Sequence, residues 1–139
     1  MTTKTTTTPA DLQVFLDDLH EKLEGHATRS ETDAFLQLWS HAPDASIMAA
    51  VGGYHIGYDR IADLLIWVSA RMTFDSYTPR TLIVQAHGDF AFSVELEDYV
   101  NRAADQQITL RATQVYRREE GSWKLMHRHA EALTPVAAL

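Results

Sequence analysis

The chain has 139 residues, of which 45% are hydrophobic, 22% charged and 9% aromatic, and its formal net charge is -7. This composition excludes a chain that is disordered throughout, and the length suits one domain with a single core. The scattered basic residues make nucleic acid a poor partner, and the absence of cysteine excludes disulfides, thiolate catalysis and cysteine-ligated zinc.

The N-terminal run, residues 1–8, is rich in threonine and has no apolar stretch, so it predicts a disordered tail rather than a signal peptide or membrane anchor. The most apolar window, 46–72, is broken by glycines and charges. It therefore lacks the ~20 uninterrupted apolar residues that a bilayer requires. The sequence predicts a cytoplasmic protein with no membrane partner and one domain over residues 9–139.

Two helices are predicted before the first strand. The run Thr8-Pro9-Ala10-Asp11 is typical of a helix start, with a capping hydroxyl, a proline in the first turn and a carboxylate. Leucines follow at helical spacing until Gly25, which predicts the end of this helix. A shorter helix begins at the run Ser30-Glu31-Thr32-Asp33, which resembles a capping box, and ends before Pro43.

A third helix is predicted from about Gly57 to Met72, because its apolar residues recur at the same helical spacing as those of the first helix. Ile66 and Trp67 lie off its apolar stripe. They either form part of a partner surface or make a second contact with the core.

Strands are predicted in two groups. Two short strands, 46–48 and 54–56, flank the pair Gly52-Gly53. Beyond Pro79 the pattern alternates, and turn signals divide the remainder into four long strands, 81–87, 90–99, 108–118 and 123–133. Helices followed by an antiparallel meander predict an α+β fold, with the three helices on one face of a strongly curved sheet.

The second and third long strands predict which side chains face the helices. In the second, the apolar set includes Phe92 and ends at Asp98, which leaves Glu95 and Glu97 on the outer face. In the third, Gln114 and Tyr116 belong to the inward set. This set takes every second residue of the strand, namely Ile108, Leu110, Ala112, Gln114 and Tyr116. Buried polar groups cost roughly 1–3 kcal/mol without partners, so these two either satisfy each other in a filled core or meet water or a ligand.

The last long strand allows two alternations. One places Trp123 and Leu125 inward together with both histidines of the His127-Arg128-His129 run, and the other places Arg128 inward instead. Two imidazoles on one face suit a metal site, but zinc or iron needs three or four ligands, which His55 and Asp98 would have to complete. Histidines at a sheet surface are commoner, so we predict no metal and no cofactor.

Several segments carry a resemblance to a known family. Four segments in the first half of the chain resemble the SnoaL-like members of the nuclear transport factor 2-like (NTF2-like) superfamily. They are residues 33–39, 43–45, 52–53 and 57–61. The segment 110–129 resembles the closing hairpin of that superfamily and is similar to the association domain of calmodulin-dependent kinases. The resemblance implies a cystatin-like α+β cone with a deep pocket and a homodimer formed through the sheet.

The resemblance says less about activity, because this superfamily includes isomerases, polyketide cyclases, dehydratases, epoxide hydrolases and non-catalytic modules. Ala49 occupies the position at which its steroid isomerases carry a catalytic aspartate. Gln114 and Ala130 occupy the positions of two pocket arginines in the kinase association domains. The chain therefore departs from both arrangements.

The sequence predicts a small-molecule pocket of unassigned activity, with an acid–base isomerase, cyclase or dehydratase acting on a small apolar substrate as one hypothesis. The alternative is a non-catalytic ligand-binding or homo-oligomerisation module. Asp98, His55 and His127 are the candidate catalytic residues, since a carboxylate beside an imidazole makes a general base at neutral pH. The candidate ligand-binding residues are Trp39, Tyr54, Phe92, Gln114, Tyr116 and Arg128.

The expected homodimer has one support in the residues themselves. The predicted outer face of the sheet carries the charges of Glu95, Glu97 and Arg111. Opposite charges on neighbouring strands pair either within one subunit or across an interface.

Overall fold

Residues 8–136 are described by the computed structural model, and within them three helices pack on a six-stranded sheet. The helices are α1 (Ala10–Arg29), α2 (Thr32–Leu36) and α3 (Tyr58–Arg71). The strands are β1 (Ser46–Met48), β2 (Tyr54–Ile56), β3 (Ser76–His87), β4 (Phe90–Asn101), β5 (Gln106–Glu119) and β6 (Ser122–Ala132). The predicted α+β class is confirmed. Most of the predicted tail, 1–7, lies outside the described residues.

The ends of α1 follow from its local sequence. The helix begins at Ala10 as the pattern indicated, but Pro9 is its N-cap and no side chain caps it, so the predicted capping hydroxyl is wrong. The helix continues through Gly25, the predicted end, to Arg29. Ser30 stops it by adopting a left-handed conformation with φ 55°, and the chain then turns into α2. Within residues 8–136, no helix combines the length and hydrophobicity needed to cross a membrane.

The sheet has the strand order β2-β1-β6-β5-β4-β3. All neighbouring strands are antiparallel except β1 and β6, which are parallel. Irregularities interrupt the register of β3 between Thr81 and Ile83 and that of β5 with β6 between Val115 and Tyr116. Such bulges bend a strand and increase its twist, which helps this unclosed sheet to curve around the helices.

The core lies between α1 and the inner face of the sheet. Leu12, Leu16 and Leu19 of α1 are buried against it, and Trp39 is fully buried. Trp39 forms an isolated bridge with Leu125 of β6, which ties the segment after α2 to the sheet. Burial of large apolar side chains of this kind contributes roughly 1.5–3 kcal/mol each.

The predicted orientation of β4 is wrong. Phe92 points outward and is 36% exposed, and Phe90 is 51% exposed. The inward set is instead Ala91, Ser93, Glu95, Glu97 and Tyr99, all buried. Hydropathy alone sends the apolar set inward, but here the two carboxylates are buried because other strands and α1 supply cationic and hydrogen-bonding partners for them.

Each alternation of β6 is correct over part of the strand. Trp123 and Leu125 point inward, and so does Arg128. The register between β5 and β6 explains this. Tyr116 of β5 pairs with Leu125, and the residue before Tyr116 pairs with His127. The β6 residue between Leu125 and His127 therefore has no counterpart on β5 and is an extra one. An extra residue reverses the side-chain phase along the rest of a strand.

Candidate functional site

A cavity of about 760 Å³ lies between the C-terminal part of α1, α3, β1 and the ends of β4, β5 and β6. Its wall is mainly apolar and includes Leu23, Phe35, Ile47, Leu65, Phe74 and Ile108. This volume is within the range of about 300–1,000 Å³ that is typical of small-molecule pockets. Arg128, Tyr99 and His26 are the buried polar side chains of this wall, whereas Arg71, Thr73, Asn101 and Gln106 lie on more exposed parts of it.

Arg128 is held at the cavity wall by a buried carboxylate. Its Nη1 and Nη2 donate to Glu97 Oε2 at 2.8 Å and Oε1 at 2.6 Å, and Tyr99 Oη donates to Glu97 Oε1 at 2.8 Å. Burial alone would lower the pKa of Arg128, but the charge and hydrogen bonds of Glu97 outweigh it and hold that pKa well above its usual range. Arg128 is therefore a fixed cation, 7% exposed, with its counter-ion beside it.

A second buried carboxylate continues the network away from the cavity. Glu95 Oε1 lies 2.5 Å from His20 Nε2 of α1, and Thr81 and Ser93 donate to the same carboxylate. Burial would lower the pKa of His20, but the hydrogen bond and charge of Glu95 outweigh it and raise that pKa. Burial likewise favours a higher pKa for Glu95, but His20 lowers it. When His20 is protonated, the two groups therefore form a second, partly buried ion pair.

Gln114 joins the two pairs. Its Nε2 donates to Glu95 Oε2 at 2.7 Å and to Tyr116 Oη at 2.9 Å, while its Oε1 accepts from Arg128 Nη1 at 3.0 Å. The carboxylate accepts only and the guanidinium donates only, so together they fix which way the amide points. Gln114 and Tyr116 point inward as predicted and satisfy each other, which was one of the two alternatives for them. Neither lines the cavity.

His26, near the end of α1, supplies an imidazole to the cavity wall. Its Nδ1 lies 3.0 Å from Thr32 Oγ1, and its ring packs on Phe35 with a centroid distance of 5.3 Å. Burial, together with the positive charge of Arg128, lowers the pKa of His26 to about 4. At neutral pH this side chain is therefore uncharged.

The candidate pair Asp98 and His127 lies on the outer face of the sheet, away from the cavity. Asp98 accepts from Thr109 Oγ1 at 2.6 Å, and His127 Nδ1 lies 2.8 Å from Ser46 Oγ. Burial, together with His129, lowers the pKa of His127. On β5, Asp98 pairs with Thr109 whereas His127 pairs with Val115. This offset separates them by about 20 Å along the strands, so the structure does not bring them together.

The other predicted site residues are also dispersed. His55 of β2 is half-buried beside a separate shallow depression, and Tyr54 next to it is 69% exposed. Trp39 lies in the core and Phe92 on the outer face. Of the nine predicted residues, all within 8–136, Arg128 is the one that lines the cavity. In the same part of the chain, no three acidic, histidine or cysteine side chains are placed to hold a metal ion.

The sequence interpretation missed three residues of this site: His26, Glu97 and Tyr99. His26 follows Gly25, where helix α1 was predicted to end. Glu97 and Tyr99 were assigned to the outer face together with the rest of their alternation. One signal was available, because Glu95 and Glu97 alternate along one strand, and Gln114 and Arg128 occupy later strands that a meander places beside it.

Two tyrosines that pair across β3 and β4 provide a test of this network. Tyr77 Oη is buried without a partner among the described residues, whereas Tyr99 Oη donates to Glu97. We expect Tyr77→Phe to leave the free energy of unfolding unchanged or slightly higher. Tyr99→Phe should lower it by about 1–3 kcal/mol, because it removes a hydrogen bond to a buried charge. Urea denaturation of the two variants measures the difference, and equal effects would contradict the assignment of Glu97 as the acceptor.

Comparisons with known proteins place this geometry in a family. Residues 16–134 match the SnoaL-like domain. No protein in the curated set matches the chain significantly. Solved structures do match over most of their length, at sequence identities that show the fold alone.

Three of these structures illustrate the range of names. A protein provisionally named as a calcium/calmodulin-dependent protein kinase type II association domain, from Thiobacillus denitrificans ATCC 25259, has a TM-score of 0.75 at 17% identity over 88% of this chain and 94% of its own. A ketosteroid isomerase-like protein from Erwinia carotovora atroseptica SCRI1043 has a TM-score of 0.74 at 17% identity, over 91% of this chain and 96% of its own. A provisionally named dehydratase of the NTF2-like family from Streptomyces avermitilis has a TM-score of 0.72 at 17% identity, over 90% of this chain and 95% of its own.

Proposed function

The chain belongs to the SnoaL-like domain family, and from this premise we propose that its cavity binds a small, largely apolar molecule. The observation that carries the proposal is the cavity of about 760 Å³, whose lining is apolar apart from a few polar side chains. An apolar wall with a few placed polar groups is the usual composition of a ligand site. The apolar surface supplies affinity, and the polar groups orient the ligand.

Acid–base catalysis is the finer part of the sequence hypothesis, and the names of the similar structures include a dehydratase and an isomerase-like protein. Glu97 does not line the cavity, and both of its oxygens already accept hydrogen bonds from Arg128 or Tyr99. His26 is the group that remains for a proton transfer, with Thr32 orienting its ring. Its low pKa makes it a weak base too. We therefore propose ligand binding as the main function.

The proposal is tested by blocking the cavity from α3. Val68 lines it, whereas Ile66 lies on the exposed side of the same helix. In a screen of small lactones, steroids and aromatic acids, at least one compound should raise the melting temperature of the wild-type protein. A ligand at about 100 times its Kd adds roughly 2.7 kcal/mol to the free energy of unfolding. Val68→Trp should abolish this response, and the matched control Ile66→Trp should keep it. A response that survives in Val68→Trp would contradict binding in this cavity.

We also propose that the outer face of the sheet forms a homodimer, in a protein that we expect in the cytoplasm. The support differs from the one expected, because Glu95 and Glu97 are buried inside and only Arg111 of the three predicted charges lies outside. The outer face presents exposed apolar side chains: Ile83, which is 47% exposed, pairs with Val94 of β4, and Phe92 and Phe90 follow at alternate positions of that strand. Contiguous exposed apolar side chains favour association.

Light scattering tests the dimer. The wild-type protein should scatter as a particle of about twice 15.7 kDa at micromolar concentration. Phe92→Arg places a charge in the apolar patch and should yield monomers, whereas Ile66→Arg on α3 should not. A monomeric wild-type protein would overturn this part of the proposal.

A further inference from the structure

We infer that the molecule bound in this cavity is neutral and presents a carbonyl or similar oxygen acceptor to the free edge of Arg128. This inference rests on the proposed function and names the chemical class of its ligand. It follows from two properties of the buried network, namely which hydrogen-bond donors are left over and what the local net charge is.

The donors are those of the Arg128 guanidinium. A guanidinium has five N–H groups in a fixed planar arrangement. Nη1 donates to Glu97 and Gln114, and Nη2 donates once, to Glu97. The Nε–H and the second Nη2–H remain, and these two point along the same edge of the plane. The Tyr99 hydroxyl lies near the guanidinium, but among residues 8–136 no acceptor has hydrogen-bond geometry to either of these two groups, and Arg128 lines the cavity.

Neither donor is sealed from the cavity, and a ligand oxygen that accepts from both would take the place of solvent there. Glu97 and Gln114 hold the guanidinium on its other sides, so the free edge is fixed before any ligand arrives. An acceptor that binds there does not have to order the side chain. This position sets one polar contact in a mainly apolar wall.

The charges decide between a neutral acceptor and an anion. Arg128 is paired with Glu97, and His20 with Glu95, so the buried network has no net charge when His20 is protonated and a net negative charge when it is not. A carboxylate entering the cavity would lose its hydration and meet a buried cation that Glu97 already neutralises. Arg71, the other cation of the lining, is exposed with its guanidinium over the Trp67 ring, so solvent screens its charge. The protein as a whole carries -7, which does not favour an anion either.

A cationic ligand is disfavoured for a related reason. The free edge of Arg128 offers donors, whereas an ammonium needs acceptors. The depressed pKa of His26, to which Arg128 contributes, shows that a second positive charge is unfavourable at this wall. Aromatic side chains around the cavity, Phe35, Phe74 and Tyr99, suit the flat apolar body of a ketone, lactone or ester.

Three compounds with one ring system separate these classes: 2-acetylnaphthalene as the neutral carbonyl, 2-isopropenylnaphthalene as its near-isosteric alkene, and 2-naphthoate as the anion. We expect the wild-type protein to bind the ketone about 10- to 100-fold more tightly than the alkene in isothermal titration calorimetry, since the hydrogen bonds go to a charged donor. The ketone should also bind more tightly than the carboxylate. Arg128→Lys keeps a cation beside Glu97 but lacks the paired edge. In this variant the ketone should therefore lose its advantage and bind about as tightly as the alkene.

The outcomes distinguish this inference from the proposed function. Equal affinities for ketone and alkene, or tightest binding of naphthoate, would overturn the neutral-acceptor class while the cavity remained a binding site. Failure of all three compounds to bind would overturn the proposed function and the inference with it. The ketone preference is measured on the wild-type protein, so it decides the question even where Arg128→Lys does not fold.

Discussion

Replacing Arg128 with methionine should lower the free energy of unfolding by about 3–5 kcal/mol, because it leaves the Glu97 carboxylate buried without its cation. Glu97 is fully buried and receives two hydrogen bonds from Arg128. Tyr99 alone would remain as a donor to its carboxylate, while Gln114 Oε1 would also lose a partner. Urea denaturation at neutral pH measures the loss, and a single variant that loses less than about 1 kcal/mol would contradict a buried charged pair.

A double variant separates the loss of the pair from the loss of packing. Glu97→Gln combined with Arg128→Met removes both charges, and replacing a buried ion pair by uncharged groups of similar volume is often close to neutral. We therefore expect the double variant to be more stable than Arg128→Met alone. A double variant as unstable as the single one would indicate that the methionine fails to pack and that the charges contribute little.

The comparison between sequence and structure shows where local patterns suffice. The start of α1 and the stripe of α3 depend on residues within a few turns of each other, and both were predicted. Six strands and their turns were also predicted, since alternation and glycine turns are local signals. The start of β3 was predicted too late, because Pro79 is tolerated inside this edge strand, which begins at Ser76. The stop of α1 was predicted too early, because Gly25 is tolerated inside the helix and Ser30 ends it.

The inner face of β4 shows where local patterns fail. The alternation of Phe92 and Glu95 was interpreted by hydropathy, which assumes that charges lie outside unless they are paired. The partners that reverse this are distant along the chain, since His20 lies on α1 and Arg128 on β6. An extra residue in β6 sets which of its side chains face inward, and no local pattern announced it. The site was missed for the same reason, because its polar wall is assembled by these long-range pairs.

The second large effect expected from this site is acid destabilisation through His26. Its pKa is lowered to about 4 in the folded protein, by burial and by Arg128, whereas an unfolded chain has a histidine pKa near 6.5. Between these two values the unfolded state binds more protons, so stability is full above pH ~6.5 and is lost as the pH falls toward 4. At about 1.36 kcal/mol per pKa unit, the loss approaches roughly 3 kcal/mol.

His26→Asn isolates this contribution, because an amide can replace Nδ1 at Thr32 Oγ1 and does not titrate between pH 7 and 4. Between pH 7 and 4, the free energy of unfolding should fall less in the variant than in the wild-type protein. The difference between the two falls should be about 3 kcal/mol. His20 does not produce the same slope. Its raised pKa gives a contribution that is present below pH ~6.5 and is lost as the pH rises through its folded pKa. Parallel profiles for wild-type protein and His26→Asn would contradict a buried neutral imidazole beside Arg128.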